Sequence, residues 1–212
     1  MYRIILLLVA FVFVISCKEE KKASTSTTAA EKSITKTTEE STTTTPKDEE
    51  VVLSTDKDEL LSITIAYFKN CKKASTSRND CRNNSTKMIA EFYNITDFKN
   101  TNGDYVIFDS IQPMVNKSDN WIKLGKASSQ EVLTKAQEAA NNGNATIAID
   151  VSESYGEVAM IIPGNLTNSL SWKLNVPNTA MLVNYDAEKS FMNQPLSYAF
   201  KSTENIVLFT KK

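Results

Sequence analysis

Residues 128–164 read "SSQEVLTKAQEAANNGNATIAIDVSESYGEVAMIIPG", and the change of texture within them decides the fold. The first half has helical punctuation. Ser128 and Glu131 form a capping-box pattern, apolar residues recur at helical spacing, and Gly143 supplies the stop. The second half holds two short apolar runs, "ATIAIDV" and "EVAMII", divided by a turn-rich segment and closed by Pro163–Gly164. A helix therefore hands over to paired strands near Gly143. Glu157 stands at the mouth of the second run, where a carboxylate has to be hydrated, paired or protonated.

Outward from this stretch the same division holds. Upstream, "TDKDELLSITIAYFKNC" (Thr55–Cys71) opens on acids near an N-cap and repeats Leu60, Leu61, Ile65 and Phe68 on one helical face. "DCRNNSTKMIAEFYNI" predicts a second helix starting at Asn79 or Asp80, with Cys81, Ser85, Met88, Ile89 and Phe92 on one face. "DYVIFDSI" (Asp104–Ile111) is a strand candidate. Downstream, "LSWKL", "TAMLVNY" and "NIVLF" are β-rich runs separated by Gly, Pro, Asn and Asp. Helices first and strands after predict an α+β fold, with N-terminal helices packed on an antiparallel β-sheet.

The N-terminus predicts an export route. "MYRIILLLVAFVFVISC" has an early Arg3, an unbroken apolar run from Ile4 to Ile15, then Ser16 and Cys17. The run is shorter than the ~20 residues of a membrane span but suits a signal-peptide core. "VISC" reads as a lipobox, which makes residues 1–16 the lipoprotein signal peptide and Cys17 the lipidated (palmitate-bearing) residue. Residues 17–50 are a Ser/Thr/Lys/Glu-rich linker in which Ile34 is the one large apolar side chain, so no core offsets the entropy of ordering it. Such a stalk reaches roughly 100 Å when extended. The expected location is the cell envelope, lipid-anchored to the outer membrane. The charged run "CKEEKK" resembles a surface-export signal and points to surface display.

Residues 51–212 are then the folded domain. The chain carries 24 Lys and Arg against 25 Asp and Glu. Within residues 51–212 the two signs balance, and no basic stripe points to nucleic acid. The absence of histidine from the sequence leaves no expected metal centre, and with five glycines there is no phosphate-cradling loop, so no cofactor is expected.

Cys81 has two readings. At the front of a helix, a thiol feels the positive end of the helix dipole and becomes a nucleophile. Alternatively, with Cys17 lipidated, Cys71 and Cys81 form a disulfide in an oxidising compartment. Trp121, Trp172, Tyr155 and Tyr198 are candidates for a sugar- or peptide-binding groove, although aromatics of a half-buried sheet more often serve packing.

In order, "DCRNNSTKMIAEFYNITDF", Trp121, "LGKASSQEVLTKAQEAANNGNATIAI" and "GEVAMIIPG" resemble the NlpC-type and CHAP-type papain-fold cysteine peptidases and amidases, which cut cell-wall peptides. The resemblance covers about residues 75–165 and implies a papain-like fold. It puts Cys81 at the nucleophile position and Glu157 at the position of the family's histidine. Asn178 or Asn184 is then the polar residue that orients it. Glutamate, with a reference pKa near ~4.3, neither shuttles protons well at neutral pH nor stabilises a thiolate. The resemblance thus implies an inactive binding module for peptidoglycan peptide, glycan or an envelope protein. The alternatives are an active thiol hydrolase with a non-histidine base, and a surface coat or adhesion protein with no cleft ligand.

Overall fold

A computed structural model of the chain describes residues 54–77, 80–153 and 156–212. The expected signal peptide (1–16), Cys17 and the expected linker (17–50) lie outside the described residues, as does Tyr155. The N-terminal helices are α1 (Thr55–Ala74) and α2 (Asn84–Tyr93), followed by a 3-10 turn at Phe108–Ser110 that runs into α3 (Ile111–Lys117). Next come β1 (Trp121–Lys126), α4 (Gln130–Asn141), β2 (Thr146–Asp150), β3 (Val158–Ile161) and the small hairpin β4 (Thr167–Ser169) with β5 (Leu174–Val176). The chain ends with β6 (Asn178–Met181), β7 (Phe191–Pro195), α5 (Leu196–Ala199) and β8 (Ile206–Lys211). The fold is α+β: six strands in the order β1-β8-β2-β3-β6-β7 pair antiparallel throughout.

The central strands β2, β3 and β8 are buried on both faces, and side-chain alternation decides which residue meets which layer. Ile147 and Ile149 of β2, Val158 and Met160 of β3, and Val207 and Phe209 of β8 join one core with α1, α2 and α3. Their neighbours Ala148, Ala159, Ile161, Ile206 and Leu208 join a second core beneath α4 and α5. This explains why the central strands read as unbroken apolar runs rather than alternating ones. The small Ala148 and Ala159 sit in the same core as Leu133, Ala136 and Ala140 of α4.

Polar side chains tie the layers at chosen points. Tyr93 on α2 donates its hydroxyl to the Ile161 carbonyl, and burial pushes the phenol far above its ordinary pKa, so it remains a neutral donor. Buried Gln137 of α4 donates to the Ile162 carbonyl at 3.0 Å and accepts from the Asn178 backbone at 2.8 Å. Asn141, one turn on, pairs both ways with the Gly164 backbone, at 3.1 and 2.9 Å. The "AANNGN" helix end is therefore a clamp on the Pro163–Gly164 turn as well as a stop. Gly143 has φ +83° there, a conformation that favours glycine.

Four local expectations change. The second helix starts at Asn84 instead of Asn79 or Asp80, because Cys81 has φ +67° and its carbonyl accepts both the backbone and side-chain N–H of Asn84. The cap of α4 is Ser129, whose hydroxyl accepts from Val132 N, while Glu131 pairs with Lys135 at 2.6 Å. Asp104–Ile111 is no strand: beyond a single bridge from Tyr105 to Lys99 it tightens into the turn leading to α3. Pro113 is tolerated in the first turn of α3, where its missing N–H costs nothing. Finally, "LSWKL" is mostly the bend between β4 and β5, with Lys173 at φ +56°.

The two-sided burial has a measurable consequence. Met160→Ala, in the middle of β3 and fully buried, is expected to lower unfolding free energy by about 2–5 kcal/mol in denaturant titration. Ile63→Ala, on the exposed face of α1, is expected to stay within about 0.5 kcal/mol.

Candidate functional site

A cleft of about 550 Å³ opens where the end of β2, the start of β3 and the segment after β6 meet the turn before α2. Asp150, Ser152 and Glu153 contribute from the β2–β3 connection, Glu157 from the entry to β3, and Asn184 and Tyr185 from beyond β6. Lys72, Arg82, Phe108 and Asp109 complete the lining from the helical layer. The β2–β3 connection leaves no room at Gly156, where a Cβ would sit 1.7 Å from the Asp150 carbonyl oxygen. Asp150 N donates to the Glu157 carbonyl at 3.0 Å and so fixes the start of β3, while the Asp150 carboxylate accepts from Ser152 N at 2.9 Å.

Glu157 is half-buried and stands beside Asn184, whose amide donates to its Oε2 at 3.4 Å. The same Asn184 nitrogen lies 3.4 Å from the Leu182 carbonyl and 3.5 Å from Ser85 Oγ. Two of those three neighbours, a carboxylate and a carbonyl, are acceptors, which fixes the amide with its NH₂ toward them. Burial raises the Glu157 pKa above its ordinary value. The hydrogen bonds from Asn184 oppose the rise, the nearby Asp109 charge adds to it, and Lys72 opposes it. On the opposite wall Arg82 pairs with Asp109 through Oδ2, and its guanidinium lies 4.9 Å from the centre of the Phe108 ring.

The sequence candidates separate in space. Cys71 and Cys81 are joined by a disulfide, with Cα atoms 6.1 Å apart, and together they line a separate groove with Tyr67, Asn83 and Tyr105. Of the two readings of Cys81, the structure contains the bonded one. A thiol in a disulfide has no lone thiolate to offer a carbonyl carbon. Cys81 also precedes the helix by three residues instead of standing in its first turn.

Sequence reasoning put Ser85 on the inner face of the second helix but not at the site. It sits in the first turn of α2 within reach of Asn184, which in turn touches Glu157. Ser85 is 3 % exposed, so its hydroxyl faces packed side chains rather than a substrate path. A signal for it was present: Ser85 stands three, four and seven residues before the buried Met88, Ile89 and Phe92, at the head of the helical stripe. Of the two asparagines considered, Asn184 joins Glu157. Asn178 instead bonds the Pro163 carbonyl and Asn193 at the far end of β6.

The described aromatics among those weighed as groove residues all take part in packing, and Trp121 also lines a groove with Asp97 and Lys211. Trp121 is buried against Phe98 and donates to Asp97 at 3.0 Å. Trp172 packs on the second core, and Tyr198 stacks edge-on against Phe191. Among the described residues no group of three or more Cys, Asp and Glu is arranged to hold a metal ion, and no helix is long and apolar enough to cross a membrane. No protein-family model matches the chain, and no curated protein sequence matches it.

The raised pKa of Glu157 sets a pH dependence. A carboxyl that holds its proton more tightly when folded contributes stability that is complete below the unfolded pKa, near 4.5, and is lost as pH rises through the folded value. Glu157→Gln removes that loss. Its unfolding free energy is expected to match wild type at acid pH, to exceed it as pH rises between the unfolded and the folded Glu157 pKa, and to keep a constant lead above that, read from denaturant curves across the range.

Proposed function

We propose that the chain is an envelope lipoprotein whose domain, of papain-like and NlpC type, serves as a non-catalytic binding module. The Cys71–Cys81 disulfide carries this reading. The one cysteine that the family resemblance offers as a nucleophile is covalently occupied, and its bond stands apart from the cleft of Glu157.

Three further observations support it. The resemblance puts Glu157 where the family keeps its proton-transferring histidine, and the sequence contains no histidine to substitute. A carboxylate cannot stabilise an adjacent thiolate as an imidazolium does. Ser85, the residue that does approach Asn184, is a buried alcohol without a base of suitable pKa beside an open path. What remains is a cleft that combines charged side chains with Phe108 and Tyr185, suited to holding a ligand: a cell-wall peptide, a glycan or a segment of an envelope protein. The disulfide also agrees with export to an oxidising compartment, as the lipobox ending at Cys17 leads one to expect.

Two experiments test the reading. The purified protein incubated with muropeptides is expected to release no stem peptide by mass spectrometry. Release that disappears in Cys81→Ala overturns the non-catalytic assignment. In the native bacterium, metabolic labelling with a palmitate analogue is expected to tag the wild-type protein and leave Cys17→Ala untagged; equal labelling of both overturns the lipoprotein assignment.

A further inference from the structure

Two open grooves border the Cys71–Cys81 bond. One, of about 410 Å³, runs past it beside Tyr67, Asn83 and Tyr105, and the other, of about 510 Å³, beside Asn70 and Ala74. Both half-cystines line both grooves. They are not equally placed: Cys71, in the last turn of α1, is half-buried, whereas Cys81 is 9 % exposed. An attacking thiolate therefore meets Cys71 first, which makes Cys81 the leaving group.

The core does not depend on this bond; the cleft wall does. α1 and α2 meet through Leu61, Phe68, Met88, Ile89 and Phe92 in one buried cluster, and Tyr93 fastens α2 to the sheet through the Ile161 carbonyl. The bonded cysteines are separated by 10 residues in sequence, so the cross-link closes a local connection rather than joining distant layers. Beside it, Ser75 Oγ and Ser77 N donate to the Asp80 carboxylate at 3.0 and 3.1 Å, in exposed positions where water replaces such bonds at little cost. What the bond holds is a conformation. Cys81 has φ +67°, which is unfavourable for an L-residue, and its carbonyl accepts the Asn84 N–H groups at the start of α2. Opening the bond removes the constraint on both.

We infer that the Cys71–Cys81 bond is a thiol-exchange site, reduced in the folded protein by a dithiol, and that its reduction loosens the helical wall of the cleft. One thiolate of the dithiol attacks Cys71 Sγ, the bond between the cysteines breaks, and Cys81 leaves as a thiolate and takes up a proton. The second thiol of the reductant then displaces Cys71, which is protonated in turn. Two electrons and two protons pass to the cysteine pair, and the dithiol closes to a disulfide. The effect reaches the cleft through Lys72 and Arg82, each next to a half-cystine and both in the cleft lining. The freed Cys81 stands in a groove apart from Glu157, so reduction does not assemble a hydrolase. This control of the wall goes beyond the binding reading and holds whatever the cleft receives.

The test compares the rate of reduction by dithiothreitol in native buffer and in denaturant, on the full chain carrying Cys17→Ser so that no third thiol takes part. Alkylation and peptide mapping read the two cysteines. A bond reached only through global unfolding is reduced at least about a thousandfold more slowly in native buffer, because so little of the chain is open. The native rate is expected to stay within about a hundredfold of the denatured one, and a slower rate overturns the exchange site. Glutathione, trapped early with acid, is expected on Cys71; a mixed disulfide on Cys81 overturns the assigned attack. In the reduced protein, and in the double variant Cys71→Ser, Cys81→Ser, hydrogen exchange is expected to rise about tenfold or more in the last turn of α1 and the first turn of α2, with β2, β3 and β8 unchanged. Unchanged exchange in those turns, or a rise across the sheet, overturns the control of the cleft wall.

Discussion

The Cys71–Cys81 bond ties the last turn of α1 to the turn that precedes α2, and the helical wall of the cleft follows from it. Lys72 lies beside one half-cystine and Arg82 beside the other, so both cations of the cleft are held by the same cross-link. Closing a chain segment this short restricts the unfolded state by about 3 kcal/mol in the entropy account of disulfides. It also holds Cys81 in a left-handed backbone conformation that an L-residue adopts at a cost of about 1–2 kcal/mol. One bond thereby fixes a wall and removes a thiol. The structure spends on rigidity the sulfur that a hydrolase would spend on chemistry.

The opposite wall depends on a different constraint. β2 and β3 are sealed on both faces, so their register cannot slip by one residue without exchanging the residues of the two cores. Glu157 is the residue just before β3 and has no freedom to leave the cleft, even though burial works against its charge. Asn184 answers it from beyond β6, the neighbouring strand. The acid is held in an unfavourable place by the packing behind it.

Much of this architecture is legible in the residues. α1 and α4 announce themselves by periodicity and caps, and β2, β3, β6 and β8 by apolar runs between turn residues. β1 and β7 do not, because they are sheet edges: most of their side chains face water or are half-buried, and β7 ends in Pro195. Asp104–Ile111 misleads because Phe108 and Ile111 are buried by folding inward from a turn, which imitates a strand's hydrophobic content without its pairing. At the site, Glu157 and Asn184 are readable as polar residues flanking buried strands. Asp109, Lys72 and Arg82 are not. Nothing local marks an Asp in a 3-10 turn as lining the same cleft as a glutamate 48 residues later; only the packing of the helical layer on the strand ends brings them together.

The account turns on whether Cys81 is a bonded structural residue. Mass mapping of the native protein, alkylated under denaturing conditions without reductant and then digested, tests this directly. The account predicts a Cys71–Cys81 cross-linked peptide pair with no alkylation of either cysteine, and labelling of both after reduction. Stoichiometric alkylation of Cys81 without reductant would contradict it.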